Sequence, residues 1–133
     1  MDFAITAYEH VGIRVTDRAI ATAFYEKLGW REVADLPEAE ANEMSNAAGV
    51  RINLIFNGVA RRSNVLQDEP EKYPGVTHAA FVVDDLDRLM EALAVEGIAI
   101  TEGPVIFDGR RRTIFIRDPD WNVLEFNELF DTA

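Results

Sequence analysis

The chain contains two histidines, and they stand at matching places. His10 lies in Tyr8-Glu9-His10-Val11-Gly12-Ile13-Arg14-Val15-Thr16-Asp17, and His78 in Val76-Thr77-His78-Ala79-Ala80-Phe81-Val82-Val83-Asp84-Asp85. Each opens an apolar run that ends in acid and passes into a helix-like segment. A lone histidine in a strand is usually a structural residue. Two at equivalent points of a repeat point to a metal centre, because neutral imidazole is the commonest metal ligand. Glu125 sits between Leu124 and Phe126. A carboxylate on such a strand is costly to bury unless it is paired or metal-bound. Two imidazoles and one carboxylate supply three ligands and leave positions open, as a catalytic divalent ion requires.

These side chains need rigid elements in register. Tyr8 to Val15 alternates and is rich in β formers, which predicts a strand. Asp17 can cap a helix that runs to Leu28, with Ile20, Phe24 and Leu28 as its buried stripe and Gly29 as its stop. Three short strands follow: Trp30 to Ala34, Glu43 to Ala47, and Val50 to Phe56. The second half repeats this order. His78 to Val83 is a strand, and Asp84 or Asp85 caps a helix with Leu86, Leu89, Met90 and Leu93 on one face. Gly97 ends that helix, and strands follow near Ile98 to Thr101, Arg112 to Arg117 and Asn122 to Asn127. Asp118-Pro119-Asp120 is turn chemistry. The fold class is therefore α+β, with two βαβββ modules. A period of about 70 residues within one chain marks a duplicated subdomain. The boundaries are 1–133 for a single domain, with module one at about 7–57, a connector at about 58–75, and module two at about 76–129.

The strand period of two sorts the faces. Val11, Ile13 and Val15 should pack on the first helix, leaving His10, Gly12 and Arg14 on the other side. Ala79, Phe81 and Val83 should pack on the second helix, leaving His78, Ala80 and Val82. In the last strand Leu124 and Phe126 face inward, and Val123, Glu125 and Asn127 face away. In the matching strand Ile52, Leu54 and Phe56 face inward, and Arg51, Asn53, Ile55 and Asn57 face away. The faces turned from the helices thus carry His10, His78, Glu125 and, by position, Asn53.

Composition narrows the classes. The 133 residues are 48% hydrophobic, enough for a core, and contain no cysteine, so neither a disulfide framework nor a thiolate metal site is available. No apolar run approaches the roughly 18 residues that span a bilayer. The start lacks a basic stretch followed by an apolar one, so no signal peptide is expected, and a cytoplasmic protein is the default. A net charge of −11 argues against nucleic acid as a partner.

The chain resembles the vicinal oxygen chelate superfamily, which includes glyoxalase I, fosfomycin-resistance thiol transferases, extradiol dioxygenases, methylmalonyl-CoA epimerase and bleomycin-resistance proteins. The resemblance covers about residues 7 to 129. It rests on His10-Val11-Gly12-Ile13-Arg14-Val15, on the helix end Phe24-Tyr25-Glu26-Lys27-Leu28-Gly29-Trp30, and on Phe115-Ile116-Arg117-Asp118-Pro119-Asp120 running into Val123-Leu124-Glu125. It implies paired βαβββ modules forming a curved, open mixed sheet around one divalent metal, which could be Ni, Zn, Mn or Fe. The family's ligand positions hold His10, Asn53, His78 and Glu125 here. Asn53 stands where glyoxalase I carries a carboxylate, so it is a weak ligand and no base. Arg14 and Asn57 match the residues that hold the glutamyl end of glutathione, which implies glutathione as a possible co-substrate. Arg110, Arg111 and Arg112 form a basic cluster that could grip a substrate anion, and Phe115 would line the same site. Trp121 replaces the family's glycine after the turn, where it would cover a pocket edge or a subunit contact.

As an enzyme of glyoxalase type, the chain would be a lyase or isomerase of a small carbonyl or thiol-conjugate substrate. The metal would chelate vicinal oxygens, and Glu125 would be both ligand and proton shuttle. A thiol transferase fits the same three ligands. An extradiol dioxygenase fits less well, because it wants a further histidine as acid–base catalyst and this chain has none. The reading of a different class is a metal-free drug-binding dimer with an acidic cleft. In every case the partner is a small molecule, with no nucleic acid and no membrane, and the assembly implied by the family is a homodimer.

Overall fold

In the computed structural model, which describes residues 2–130, the duplication is explicit. The first unit ends at Ala60 and the second begins at Arg61. The first contains β1 (Val11–Arg14), α1 (Arg18–Lys27), β2 (Arg31–Leu36), a 3-10 turn (Pro37–Ala39), β3 (Ala41–Ser45) and β4 (Arg51–Ile55). The second contains β5 (His78–Val82), α2 (Leu86–Val95), β6 (Ile100–Phe107), β7 (Arg111–Arg117) and β8 (Val123–Leu129). The strand orders are β1-β4-β3-β2 and β5-β8-β7-β6, each an open four-stranded sheet. In both, the first and last strands run parallel and the other pairs antiparallel. The α+β class and the paired βαβββ modules stand as expected. Among the described residues, no helix is long and apolar enough to cross a membrane.

Both helices start and stop where the sequence says. The Asp17 carboxylate accepts from Ile20 N at 2.9 Å, and the Asp85 carboxylate from Arg88 N at 3.1 Å. Each satisfies one of the donors that every helix start leaves unpaired. Gly29 and Gly97 then take φ of 101° and 69°, the left-handed geometry that ends a helix at little cost to a residue without Cβ. The predicted face of α2 is right, with Leu86 and Leu93 fully buried.

The predicted stripe of α1 holds at Phe24 and, half-buried, at Leu28, but fails at Ile20. Ile20 is 58% exposed, and the buried side chains are Ala21, Phe24 and Tyr25. Tyr25 sets the phase: its ring meets Phe24 edge-on at 5.2 Å and Trp30 at 6.0 Å. Ile20 therefore contributes little, whereas Phe24 fills core. Ile20→Glu should change stability by less than about 0.5 kcal/mol, while Phe24→Ala should cost about 3–5 kcal/mol. Urea unfolding of the two variants checks this, and equal losses would restore the original stripe.

β1 is also shorter than predicted. Its pairing with β4 begins at Val11↔Ile52. His10 thus precedes the strand instead of lying within it. The first strand after α2 is correspondingly longer than predicted, reaching Phe107.

The stretch after Ala60 is tied to the second sheet. Arg117 makes a two-pronged ion pair with Asp68, at 2.8 and 2.9 Å, and Nη1 also donates to the Trp121 carbonyl. Asn64 Nδ2 donates to that same carbonyl at 3.1 Å. The hydrogen bond from Arg117, then that from the Asn64 backbone, pulls the Asp68 carboxyl from 3.8 down to about 2. A depressed carboxylate pKa contributes stability above its ordinary value and loses it as pH falls through the depressed one. Asp68→Asn should therefore cost about 1 kcal/mol at neutral pH. That difference should shrink as pH falls from about 4 towards 2, read from thermal unfolding at each pH. A difference that persists at pH 2 would show that the pair is not its source.

Candidate functional site

The polar residues of the second unit gather on the sheet face turned from α2. Its backbone register explains why. β8 lies between β5 and β7, with Ala80↔Glu125 on one side and Phe115↔Glu125 on the other. Side chains two residues apart share that face, so His78, Phe115, Glu125, Asn127 and Thr113 meet there. β8 is buried from Val123 through Asn127, on both of its faces. The side chain of Glu125 is only 6% exposed, whereas that of His78 is 30% exposed.

His78 Nε2 stands 3.2 Å from Glu125 Oε1. The remaining polar atom of each side chain is engaged elsewhere. His78 Nδ1 meets Thr77 Oγ1 at 2.8 Å, and Glu125 Oε2 accepts from Asn127 Nδ2 at 2.8 Å. The Phe115 ring lies edge-on to His78 at 5.8 Å between centroids. Two donor atoms, one nitrogen and one oxygen, are thus left facing a common point. If Nδ1 carries the imidazole proton, Nε2 and Oε1 present lone pairs to one another, an arrangement that a cation relieves. A separation of 3.2 Å also suits two ligands that each reach a divalent ion at roughly 2.0–2.2 Å. The pair fits a metal by its chemistry.

The first unit holds the other expected ligands. His10 Nδ1 is 2.6 Å from Glu9 Oε1, and Glu9 Oε2 is 3.6 Å from Arg51 Nε. Asn53 is paired in register with Gly12 and Glu43, and its buried Oδ1 has no hydrogen-bond partner. That orphaned acceptor is a site where a cation or a donor would be welcome. Among the described residues, no three histidine or acidic side chains gather as a metal cluster.

The expected substrate contacts divide in the same way. Arg14 Nε donates to Asn57 Oδ1 at 2.9 Å, and Asn57 Nδ2 donates to Glu40 Oε2 at 2.8 Å. The sequence paired Arg14 with Asn57 but missed Glu40, which the 3-10 turn delivers in a left-handed conformation, φ 52°. The arginine cluster is not one. Arg112 turns to the helix side and pairs with Asp87 at 2.9 Å, and Arg110 lies exposed in the turn. Arg111 alone shares the face of Phe115, with its guanidinium 5.3 Å over the Phe107 ring and a buried Nε that has no partner. The period of two separates these neighbours, as it must on a strand.

The Asp118 turn fixes the entry to β8. Asp118, 4% exposed, accepts from Asp120 N at 2.8 Å, Asn122 N at 2.9 Å and Asn122 Nδ2 at 2.9 Å. It holds Trp121 at φ 69°, a left-handed conformation that a bulky side chain rarely adopts. Trp121 is 43% exposed.

Residues 7–126 match the family described as the glyoxalase/bleomycin resistance protein/dioxygenase superfamily. The chain belongs to that superfamily. Its relatives include virulence protein STM3117 of Salmonella typhimurium, 28% identical over 136 residues, covering 93% of this chain and 85% of the relative. An integron cassette protein from the mobile metagenome of V. cholerae superposes with a TM-score of 0.71 at 26% identity, covering 96% of this chain and 98% of the other. The fosfomycin resistance protein FosX of Listeria monocytogenes shares the fold, with a TM-score of 0.71, 18% identity, and 94% of each chain covered. Within this superfamily, the paired modules seen here are the shared framework.

Proposed function

We propose that the chain is a divalent-metal-dependent enzyme of glyoxalase type, a lyase or isomerase of a small carbonyl or thiol-conjugate substrate. The observation that carries the proposal is the His78–Glu125 pair, with Nε2 and Oε1 3.2 Å apart and the other polar atom of each side chain already engaged. Within the second unit His78 and Glu125 are the candidate ligands; within the first, His10 and, weakly, Asn53 through its unpartnered Oδ1 are the candidates. His78 and Glu125 would hold a divalent ion, whether Ni, Zn, Mn or Fe, and that ion would supply Lewis-acid chemistry towards vicinal oxygens of a substrate. Glu125 takes and returns a proton at Oε1, while Asn127 keeps Oε2 occupied. Phe115 walls the site beside His78.

Arg111, four residues along β7 from Phe115, offers its unpartnered Nε to an anionic group of the substrate. Arg14 and Asn57 would receive a second polar end, such as the glutamyl carboxylate of glutathione, in competition with Glu40. The anion contact at Arg111 suits a thiol transferase on the same ligands as well, and assays of isomerisation against thiol addition separate the two. A homodimer is the assembly that the family suggests, and the cytoplasm is the compartment that the sequence suggests.

The test is metal content after purification, followed by calorimetric titration with Ni, Zn, Mn and, without oxygen, Fe. About one ion per chain is expected. A His10→Ala, His78→Ala double variant should lose it while keeping its unfolding transition. Failure to bind any of the four ions would overturn the metal-dependent reading in favour of a ligand-binding module.

A further inference from the structure

We infer that Thr113 and Asn127 are positioning residues that aim the Glu125 carboxylate, with Thr113 anchoring the far end of the Asn127 amide. The inference rests on the reading of Glu125 as a metal ligand and extends it by two residues that touch neither metal nor substrate. Thr113 is fully buried, Asn127 is 4% exposed and Glu125 5%. Thr113 stands opposite Asn127 in the β7–β8 register, and Glu125 lies two residues earlier on the same face of β8.

The hydrogen bonds have one consistent assignment. The Asn127 amide meets Glu125 Oε2 at 2.8 Å and the Phe81 carbonyl at 3.2 Å. An ionised carboxylate and a backbone carbonyl only accept, so the atom facing both is Nδ2. Oδ1 then faces Thr113 Oγ1 at 2.6 Å, where only the hydroxyl can donate. The proton direction is thereby fixed along the whole chain: Thr113 donates to Asn127, Asn127 to Glu125. Glu125 Oε2 is held by Asn127, and Oε1 is left towards His78 Nε2.

Removing the Thr113 hydroxyl breaks the assignment at its far end. Asn127 Oδ1 then loses its donor in a fully enclosed place, and the amide is anchored only through Nδ2, to Glu125 Oε2 and the Phe81 carbonyl. An amide released at Oδ1 is free to shift, and the carboxylate it holds shifts with it out of ligand geometry. A merely structural hydroxyl would affect stability and leave metal affinity alone. Partners that orient a ligand typically change affinity 10- to 100-fold when lost.

The experiment uses the whole protein and titrates Ni, Zn, Mn and, without oxygen, Fe into wild type, Thr113→Val, Thr113→Ser and Asn127→Leu, with thermal unfolding of each. Valine keeps the volume and the β-branched shape of threonine, and serine keeps only the hydroxyl. Expected are a loss of about 10-fold or more in affinity for Thr113→Val and Asn127→Leu, and near wild-type affinity for Thr113→Ser. Should Thr113→Val fail to fold, Asn127→Leu against Thr113→Ser carries the same comparison. Folded variants that bind as tightly as a metal-binding wild type overturn the positioning role and leave the metal reading standing. A wild type that binds none of the four ions overturns both.

Discussion

Replacing Glu125 with Gln is expected to reduce divalent-metal affinity by on the order of 100-fold or more while the protein unfolds at the same temperature or a higher one. The two effects separate because the substitution keeps shape and hydrogen bonds and removes only charge. The new amide oxygen accepts from Asn127 Nδ2, now 2.8 Å from Oε2, and the new NH2 donates towards His78 Nε2, now 3.2 Å from Oε1. What disappears is a carboxylate whose side chain is 6% exposed, and burying such a charge is costly. A residue retained for packing would show the reverse pattern. Calorimetric titration with thermal unfolding decides the matter, and unchanged affinity would remove Glu125 from the ligand set.

Asp118→Ala is expected to cost about 2–4 kcal/mol, the largest effect of any polar substitution outside the ligand pair. Its carboxylate serves at least three donors, the backbone N–H groups of Asp120 and Asn122 and the Asn122 side chain. Alanine removes this acceptor from all three, and it frees the turn that delivers Val123 to the start of β8, two residues before Glu125. Asp118→Asn retains the oxygen that receives both backbone donors but turns an NH2 towards Asn122 Nδ2, so it should lose only about 1 kcal/mol. Urea denaturation of the pair is the measurement. Equal losses would mean that charge, and not acceptor geometry, holds the turn.

Much of the fold was legible because it is local and repeated. The helix caps at Asp17 and Asp85 and the stops at Gly29 and Gly97 are set by residue types within a few positions. The convergence of His78 and Glu125 followed from strand period alone, since both lie on the side turned from α2. Pairing partners were not legible. That Thr113 faces Asn127 depends on the register between β7 and β8, which side-chain pattern does not encode. Glu40 reaches Asn57 only through a left-handed residue after a 3-10 turn. The α1 stripe was misread because the spacing of Ile20, Phe24 and Leu28 fits a helix as well as the true one does, and hydrophobicity does not single out Ala21 and Tyr25. Arg111 and Arg112 were taken together although the period of two already placed them on opposite faces.

The tryptophans fall one to each unit: Trp30, 4% exposed and packed on Tyr25, in the first, and Trp121, 43% exposed, in the second. Their emission is accordingly separable, with a blue, quencher-resistant signal from Trp30 and a red, quenchable one from Trp121. Single-tryptophan variants turn the duplicated architecture into two independent optical channels. Whether the halves of this repeat melt together or in sequence then becomes a matter of comparing two fluorescence curves.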